Sequence, residues 1–143
     1  MKKLIIATSI MAASLSTMAT EVSVSAVRDF NLNANGARVT TELSGLKLSA
    51  TNVDNQYLRL SVGKEFPLVK VGPVSLSASV SGVSQDSKAV HHSDGYGLAL
   101  GGKATLAVTK SIDLVASAER FVGQSRVSSY NGNTGTLGLT LKF

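Results

Sequence analysis

The closing stretch Gly135-Thr136-Leu137-Gly138-Leu139-Thr140-Leu141-Lys142-Phe143 decides how the rest of this 143-residue sequence is interpreted. In an extended chain, alternate side chains point to opposite faces. One face of this strand is then aliphatic and aromatic: Leu137, Leu139, Leu141 and Phe143. The other face carries only small or polar residues and one lysine. Such a strand fits between lipid and a packed polar interior.

The same period-two pattern recurs upstream and predicts eight strands. The clearest example starts at Val74, where Val, Leu and Ala alternate with four serines up to Ser81. The predicted strands cover residues 21–32, 38–43, 46–50, 57–66, 74–83, 95–107, 112–119 and 135–143.

Turn-forming residues separate these runs. Asn35-Gly36 predicts a hairpin turn, because both residues tolerate positive φ. Ser44-Gly45 is either a second tight turn or a bulge in one long strand. An even number of strands brings both ends of the barrel chain to the same side, which favours the turn. Residues 67–73 hold both prolines and predict a connection, while 84–94 and 124–133 predict the longer loops.

The N-terminus predicts export. Met1-Lys2-Lys3 is positive, residues 4–15 are mostly apolar, and Thr17-Met18-Ala19 is a small-x-small site, so residues 1–19 are predicted to be a cleaved signal peptide. Residues 20–143 then form one domain. Removing two lysines lowers the basic count from 14 to 12 against 9 acids, so the net charge falls from +5 to +3. These bases are scattered, which does not favour nucleic acid.

Because open sheet edges cannot be satisfied in lipid, eight such strands predict an all-β, antiparallel, up-and-down transmembrane barrel. A barrel of this size is filled by its own side chains. The polar face then places seven charges in the lumen: Arg38, Glu42, Lys47, Arg59, Lys103, Asp113 and Glu119. Buried charges require partners, so the sequence predicts an internal ion-pair network that packs the lumen. The functional alternative is a proton or ion path, or a gated pore.

Aromatic residues mark the predicted strand ends. Phe30, Tyr57, Tyr96 and Phe121 lie next to the predicted outer loops, and Phe66 and Phe143 lie at the opposite end. Two interfacial girdles are typical of membrane barrels. Tyr57 and Phe121 have inward parity, which indicates either a local bulge or a role in plugging the barrel mouth.

Two arginines, Arg28 and Arg120, interrupt the lipid-facing rows near the outer headgroup level. Guanidinium groups there can hold lipopolysaccharide phosphates. The alternatives are ordinary snorkelling and a bulge that turns one of the arginines inward. His91-His92 matches no standard metal spacing, so no metal site is predicted. The sequence shows no catalytic arrangement and no cofactor motif.

The chain resembles the small OmpA/OmpX-like outer-membrane barrels, including the Ail/Lom type. The resemblance rests on Asn55-Gln56-Tyr57, on residues 93–101 and 106–114, and on the terminal Leu-Thr-Leu-Lys-Phe. It implies an outer-membrane location and a membrane-insertion signal in Leu137, Leu139, Leu141 and Phe143. The expected partners are outer-membrane lipids, including lipopolysaccharide, and, during biogenesis, periplasmic chaperones and the barrel-assembly machinery. A monomer is expected, although the sequence does not specify the oligomeric state.

The sequence therefore predicts a non-enzymatic outer-membrane barrel with a structural or surface-interacting role, its specificity residing in the longer loops. One alternative is a narrow porin. Another is a soluble secreted β-sandwich or adhesin, which would leave an aliphatic belt exposed to water on every strand.

Overall fold

The computed structural model describes residues 21–54, 56–87, 95–124 and 131–142, which form a closed antiparallel barrel. The strands are β1 (Glu21–Asp29), β2 (Ala34–Leu43), β3 (Leu46–Val53), β4 (Tyr57–Val71), β5 (Val74–Ser87), β6 (Gly95–Ala107), β7 (Ile112–Gln124) and β8 (Asn131–Lys142). Each strand pairs with the next, and β8 closes on β1. The predicted signal peptide, the His91-His92 pair and Phe143 lie outside the described residues.

The strand register fixes the barrel's shape. Cross-strand partners run from Val22 through Thr41, Leu48, Val62, Gly82, Leu98, Val122 and Asn131. Extending the β8–β1 register returns this path to β1 at residue 32, ten positions beyond its start. For eight strands, a stagger of ten tilts the strands by about 40° and leaves an interior that side chains just fill.

The aliphatic residues face outward, as predicted. Leu76, Leu98, Leu114 and Leu139 are 43%, 60%, 38% and 50% exposed, whereas Ser77 is 8% exposed. A packed central core would show the reverse, so the β-sandwich alternative does not describe this chain. In the described residues, no helix is long and apolar enough to cross a membrane.

The tight turn at Ser44-Gly45 is confirmed, and the bulge alternative is wrong. Ser44 and Gly45 both have positive φ, 52° and 79°, as a two-residue hairpin turn requires. The turn predicted at Asn35-Gly36 is wrong, because both residues pair within β2. The chain instead reverses at 30–33, where Asn33 takes the positive φ of 53°.

β4 and β5 are longer than predicted. Residues 67–71, expected to form a connection, continue β4 through a bulge between Pro67 and Val69. A bulge accommodates a proline that cannot donate to the ladder. The turn itself is confined to Gly72-Pro73, with Gly72 at φ 58°.

The loops predicted at 84–94 and 124–133 are shorter than expected, because strands extend into both ranges. Residues 84–87 belong to β5, Gln124 ends β7, and residues 131–133 start β8. Segments 88–94 and 125–130 lie outside the described residues. We call the end with the turns at 44–45, 72–73 and 108–111 the short-turn end, and the opposite end the long-loop end.

Candidate functional site in the barrel lumen

At the long-loop end, two apolar clusters fill the lumen. One consists of Val27, Val53 and Tyr57, and the other of Val83, Ala99 and Phe121. All are at most 5% exposed. Tyr57 and Phe121 therefore point inward and plug the mouth, while Phe30 and Tyr96 remain outward at 64% and 70% exposure.

Arg59 joins the two clusters. Its guanidinium carbon lies 4.7 Å from the Tyr57 ring centroid and 4.6 Å from that of Phe121, so the cation contacts both aromatic rings. Its Nε donates to Gln85 Oε1 at 3.0 Å. Arg59 is only 2% exposed and closes the barrel mouth at the long-loop end. Its buried charge is stabilised by the rings of Tyr57 and Phe121 and by the side-chain carbonyl of Gln85.

The Tyr57 hydroxyl ties this plug to the first hairpin. It donates to Asp29 Oδ2 at 2.8 Å. The other oxygen of Asp29 accepts the backbone N–H groups of Asn31 and Leu32, each at 3.0 Å. A carboxylate that is 1% exposed thereby shapes the 30–33 turn and anchors it to the lumen.

Below the plug, one carboxylate serves two arginines. Glu119 accepts from both terminal nitrogens of Arg38, at 3.1 and 3.3 Å, and its Oε1 lies 3.5 Å from Arg59 Nη1. Arg38 Nε also donates to Thr51 Oγ1 at 2.8 Å. The structure thus brings together three of the seven predicted lumen charges.

A polar cavity of about 90 Å³ lies beneath this trio. Serine is the most frequent residue in its lining, which also includes Arg38, Glu119, Lys47, Glu65 and Lys103. The volume accommodates a few water molecules, and hydroxyl and charged groups give them partners.

At the short-turn end, Glu65 links two lysines. Its oxygens lie 2.7 Å from Lys47 Nζ and 2.6 Å from Lys103 Nζ, and it also accepts from Ser77 at 2.7 Å. Lys47 further contacts Glu21 at 3.1 Å and Glu42 at 3.8 Å.

The seventh predicted charge, Asp113, stands apart from the others. It pairs with Lys142 at 2.7 Å. The prediction omitted Glu21, Glu65 and Lys142, although all three share the inward parity of their strands, so the alternation itself contained the signal. With them, the ion-paired residues described here comprise five bases and five acids: Arg38, Lys47, Arg59, Lys103 and Lys142 with Glu21, Glu42, Glu65, Asp113 and Glu119.

The lumen is therefore packed in layers by the apolar clusters and the ion-paired side chains, and Asp29 adds a sixth acid, which accepts from the Tyr57 hydroxyl. In the part of the chain that the structure describes, no group of three acidic, histidine or cysteine side chains is placed to hold a metal ion.

Arg28 and Arg120 lie on the outer surface on either side of β8. Their β8 partners are Gly135 and Asn133, so the two arginines are staggered by two residues. Arg28 donates to Asn35 Oδ1 at 2.7 Å and to Asn33, which turns it toward β2. Arg120 is exposed.

The predicted insertion strand closes the barrel between β7 and β1. Leu137, Leu139 and Leu141 face outward, at 59%, 50% and 45% exposure. On the inner face, Gly138 lies against the backbone of Val24 and Ser25, and a Cβ there would lie 2.1 Å from the Val24 carbonyl oxygen.

No protein-family model and no curated protein matches this sequence. Solved structures do match. The N-terminal β-barrel domain of Pseudomonas aeruginosa OprF is 15% identical with a TM-score of 0.60, covering 87% of this chain and 98% of that one. The fold is that of the small outer-membrane β-barrels.

Two further barrels support the same fold. The Yersinia pestis outer membrane protein Ail is 16% identical with a TM-score of 0.55, covering 87% of this chain and 99% of Ail. Neisserial surface protein A is 18% identical with a TM-score of 0.51, covering 86% and 95%. The OmpA/OmpX/Ail-like architecture predicted from sequence is confirmed, and identities this low establish the fold alone.

Proposed function

We propose that this protein is an integral, non-enzymatic outer-membrane barrel with a structural or surface-interacting role. The observation that carries the proposal is the aliphatic belt around a closed sheet. In water, such a belt would be an extensive exposed apolar surface, whereas lipid buries it. Closure also gives every strand two hydrogen-bonded neighbours through the middle of the barrel, because unpaired backbone groups are costly in hydrocarbon.

The lumen supports a structural role. The aromatic–arginine plug and the paired charges occupy the space that a channel would need. A surface role would reside within the predicted loops 84–94 and 124–133, in the connections from β5 to β6 and from β7 to β8, because loops on a rigid scaffold tolerate variation.

Fractionation and gel migration test the location. We expect the protein to remain with the outer membrane after osmotic shock and to migrate differently in unboiled and boiled samples. Release into the soluble periplasmic fraction, with identical migration in both samples, would refute the proposal.

A narrow channel is the second candidate, and the polar cavity of about 90 Å³ favours it. Planar-bilayer recording separates the two. A side-chain-filled barrel should show no conductance, whereas repeated discrete openings would favour the channel.

Arg28 and Arg120 support a contact with lipopolysaccharide phosphates, because guanidinium groups bind phosphate bidentately. Replacing both with serine should lower the lipopolysaccharide that copurifies with the protein. Unchanged copurification would contradict this contact and favour snorkelling.

Biogenesis would follow the usual route of such barrels. We propose that periplasmic chaperones and the barrel-assembly machinery deliver the chain and that the β8 leucines form part of the insertion signal. Exchanging Leu137 and Leu139 for serine should reduce the amount assembled in the membrane, measured as the heat-modifiable form, and full assembly would contradict the proposal.

A further inference from the structure

One edge of β4 has no partner strand near the short-turn end. The last β3–β4 pair is Lys47 with Gly63, yet β4 continues to Val71. Over Lys64–Val71, the described chain pairs only with β5. Unpaired backbone groups are costly in hydrocarbon, so this stretch belongs at headgroup level, where water reaches the edge.

Lys64 stands on the outward row of β4, between Val62 and Phe66. It is exposed, and its Nζ lies 5.8 Å from the Phe66 ring centroid, so the side chain runs along the strand toward the short-turn end. A lysine on a lipid-facing row directs its ammonium group to the nearest interface while its methylene stem covers apolar surface.

Lys70 and Lys110 are also exposed at this end. Within the described residues, Lys64, Lys70 and Lys110 form no ion pair. The nearby carboxylates are already engaged in the lumen: Glu21, Glu42 and Glu65 with lysines, and Asp113 with Lys142. The outer surface of the short-turn end therefore carries three cations without a matching acid.

The exposed edge is poorly suited to binding another strand. Lys64, Pro67 and the bulge before Val69 are features that block edge-to-edge pairing. Phe66, Leu68 and Val71 are 45%, 68% and 70% exposed, which together with the lysines is typical of a membrane-interface segment.

We propose that the short-turn end, through Lys64, Lys70 and Lys110, binds the anionic phospholipid headgroups of the periplasmic leaflet. Charge complementarity selects the headgroup, and Phe66 and Leu68 enter the boundary between headgroups and acyl chains. The inference rests on the proposed outer-membrane function, in which the longer loops face outward and the short-turn end faces the periplasm, and it adds a lipid preference to that function.

Spin-label spectroscopy tests the preference. Residues 20–143 are refolded in phosphatidylcholine bilayers that contain a trace of nitroxide-labelled lipid, either phosphatidylglycerol or phosphatidylcholine. The fraction of labelled lipid whose motion is restricted by the protein is then compared between the two labels. We expect labelled phosphatidylglycerol to be preferred by about fivefold, the factor for roughly one lysine near an anionic surface. High salt should reduce this preference.

A charge-removing variant, Lys64→Gln/Lys70→Gln/Lys110→Gln, should bind both labels equally. The matched variant Lys64→Arg/Lys70→Arg/Lys110→Arg should retain the preference. If the glutamine variant does not fold, Lys64→Gln alone should still lower the preference measurably. An undiminished preference in the glutamine variants would overturn the proposal.

The wild-type chain separates the two levels of inference. A chain that reaches its heat-modifiable form in bilayers but shows no lipid preference overturns this inference alone. A chain that never forms the heat-modifiable state in bilayers refutes the proposed function. A benzophenone side chain at Leu68 that cross-links in cells to a protein strand rather than to lipid would also overturn this inference.

Discussion

Glu119 is the residue whose neutralisation should most disturb the lumen. Its Oε1 lies 3.1 Å from a nitrogen of Arg38 and 3.5 Å from one of Arg59, so these two nitrogens are at most about 6.6 Å apart. At an effective dielectric constant near 20, two like charges at that separation repel by about 2.5 kcal/mol.

The change Glu119→Gln also weakens hydrogen bonds to a charged group, each contributing about 1.5–3 kcal/mol. We therefore expect the free energy of unfolding to fall by about 3–5 kcal/mol, the range for breaking a buried ion pair. Urea titration of the chain refolded in phosphatidylcholine vesicles measures it, with loss of the unboiled gel species as the readout.

The matched control is Glu42→Gln. Glu42 Oε2 lies 3.8 Å from Lys47 Nζ, and without Glu42 this lysine would still pair with Glu21 and Glu65. The side chain of Glu42 is also 32% exposed. This identical chemical change should therefore cost less than about 1 kcal/mol.

A compensating change completes the test. Adding Arg38→Gln to Glu119→Gln removes the repulsion and should recover about 2 kcal/mol. Two results would refute this account of Glu119 as a shared carboxylate. One is a free energy of unfolding for Glu119→Gln within about 1 kcal/mol of the wild-type value, and the other is an equal loss of stability in Glu42→Gln.

Three further predictions use the same unfolding assay. Gly138→Ala should destabilise the barrel by about 3 kcal/mol or more, because the new Cβ would lie 2.1 Å from the Val24 carbonyl oxygen. Gly102→Ala has open space around its Cβ and should change stability by less than about 0.5 kcal/mol, and equal effects at the two glycines would contradict this. Gly45→Ala should cost about 1 kcal/mol, since alanine is strained at a φ of 79°, and an unchanged urea midpoint would refute that account. Arg59→Lys should cost about 1–2 kcal/mol, because an ammonium cannot stack flat between two rings or reproduce the Nε bond, and a lysine variant as stable as wild type would show that the stacking is not needed.

The strand ends show where reasoning from the sequence alone stops. Pro67 indicated a connection because proline cannot donate to a ladder, yet a bulge keeps it within β4. Asn35-Gly36 has turn chemistry but pairs in β2, because closure of the barrel extends the β1–β2 ladder to Ala34. Tertiary pairing overrode a local preference in both cases.

The sequence by itself determined the number of strands, their outward and inward faces and the presence of charges in the lumen. It could do so because an apolar outer face and a narrow polar interior impose a period of two on every strand of a closed barrel. Only the tertiary structure decided which charges pair. Arg38 and Glu119 are 81 residues apart and meet because the stagger of the closed sheet brings them to one level of the lumen. The same stagger stacks Tyr57 and Phe121 on Arg59. The edge of β4 beside Lys64 is open because β3 begins only at Leu46, whereas β4 continues to Val71. No local pattern encodes these contacts, because they depend on the height at which distant strands meet across the barrel.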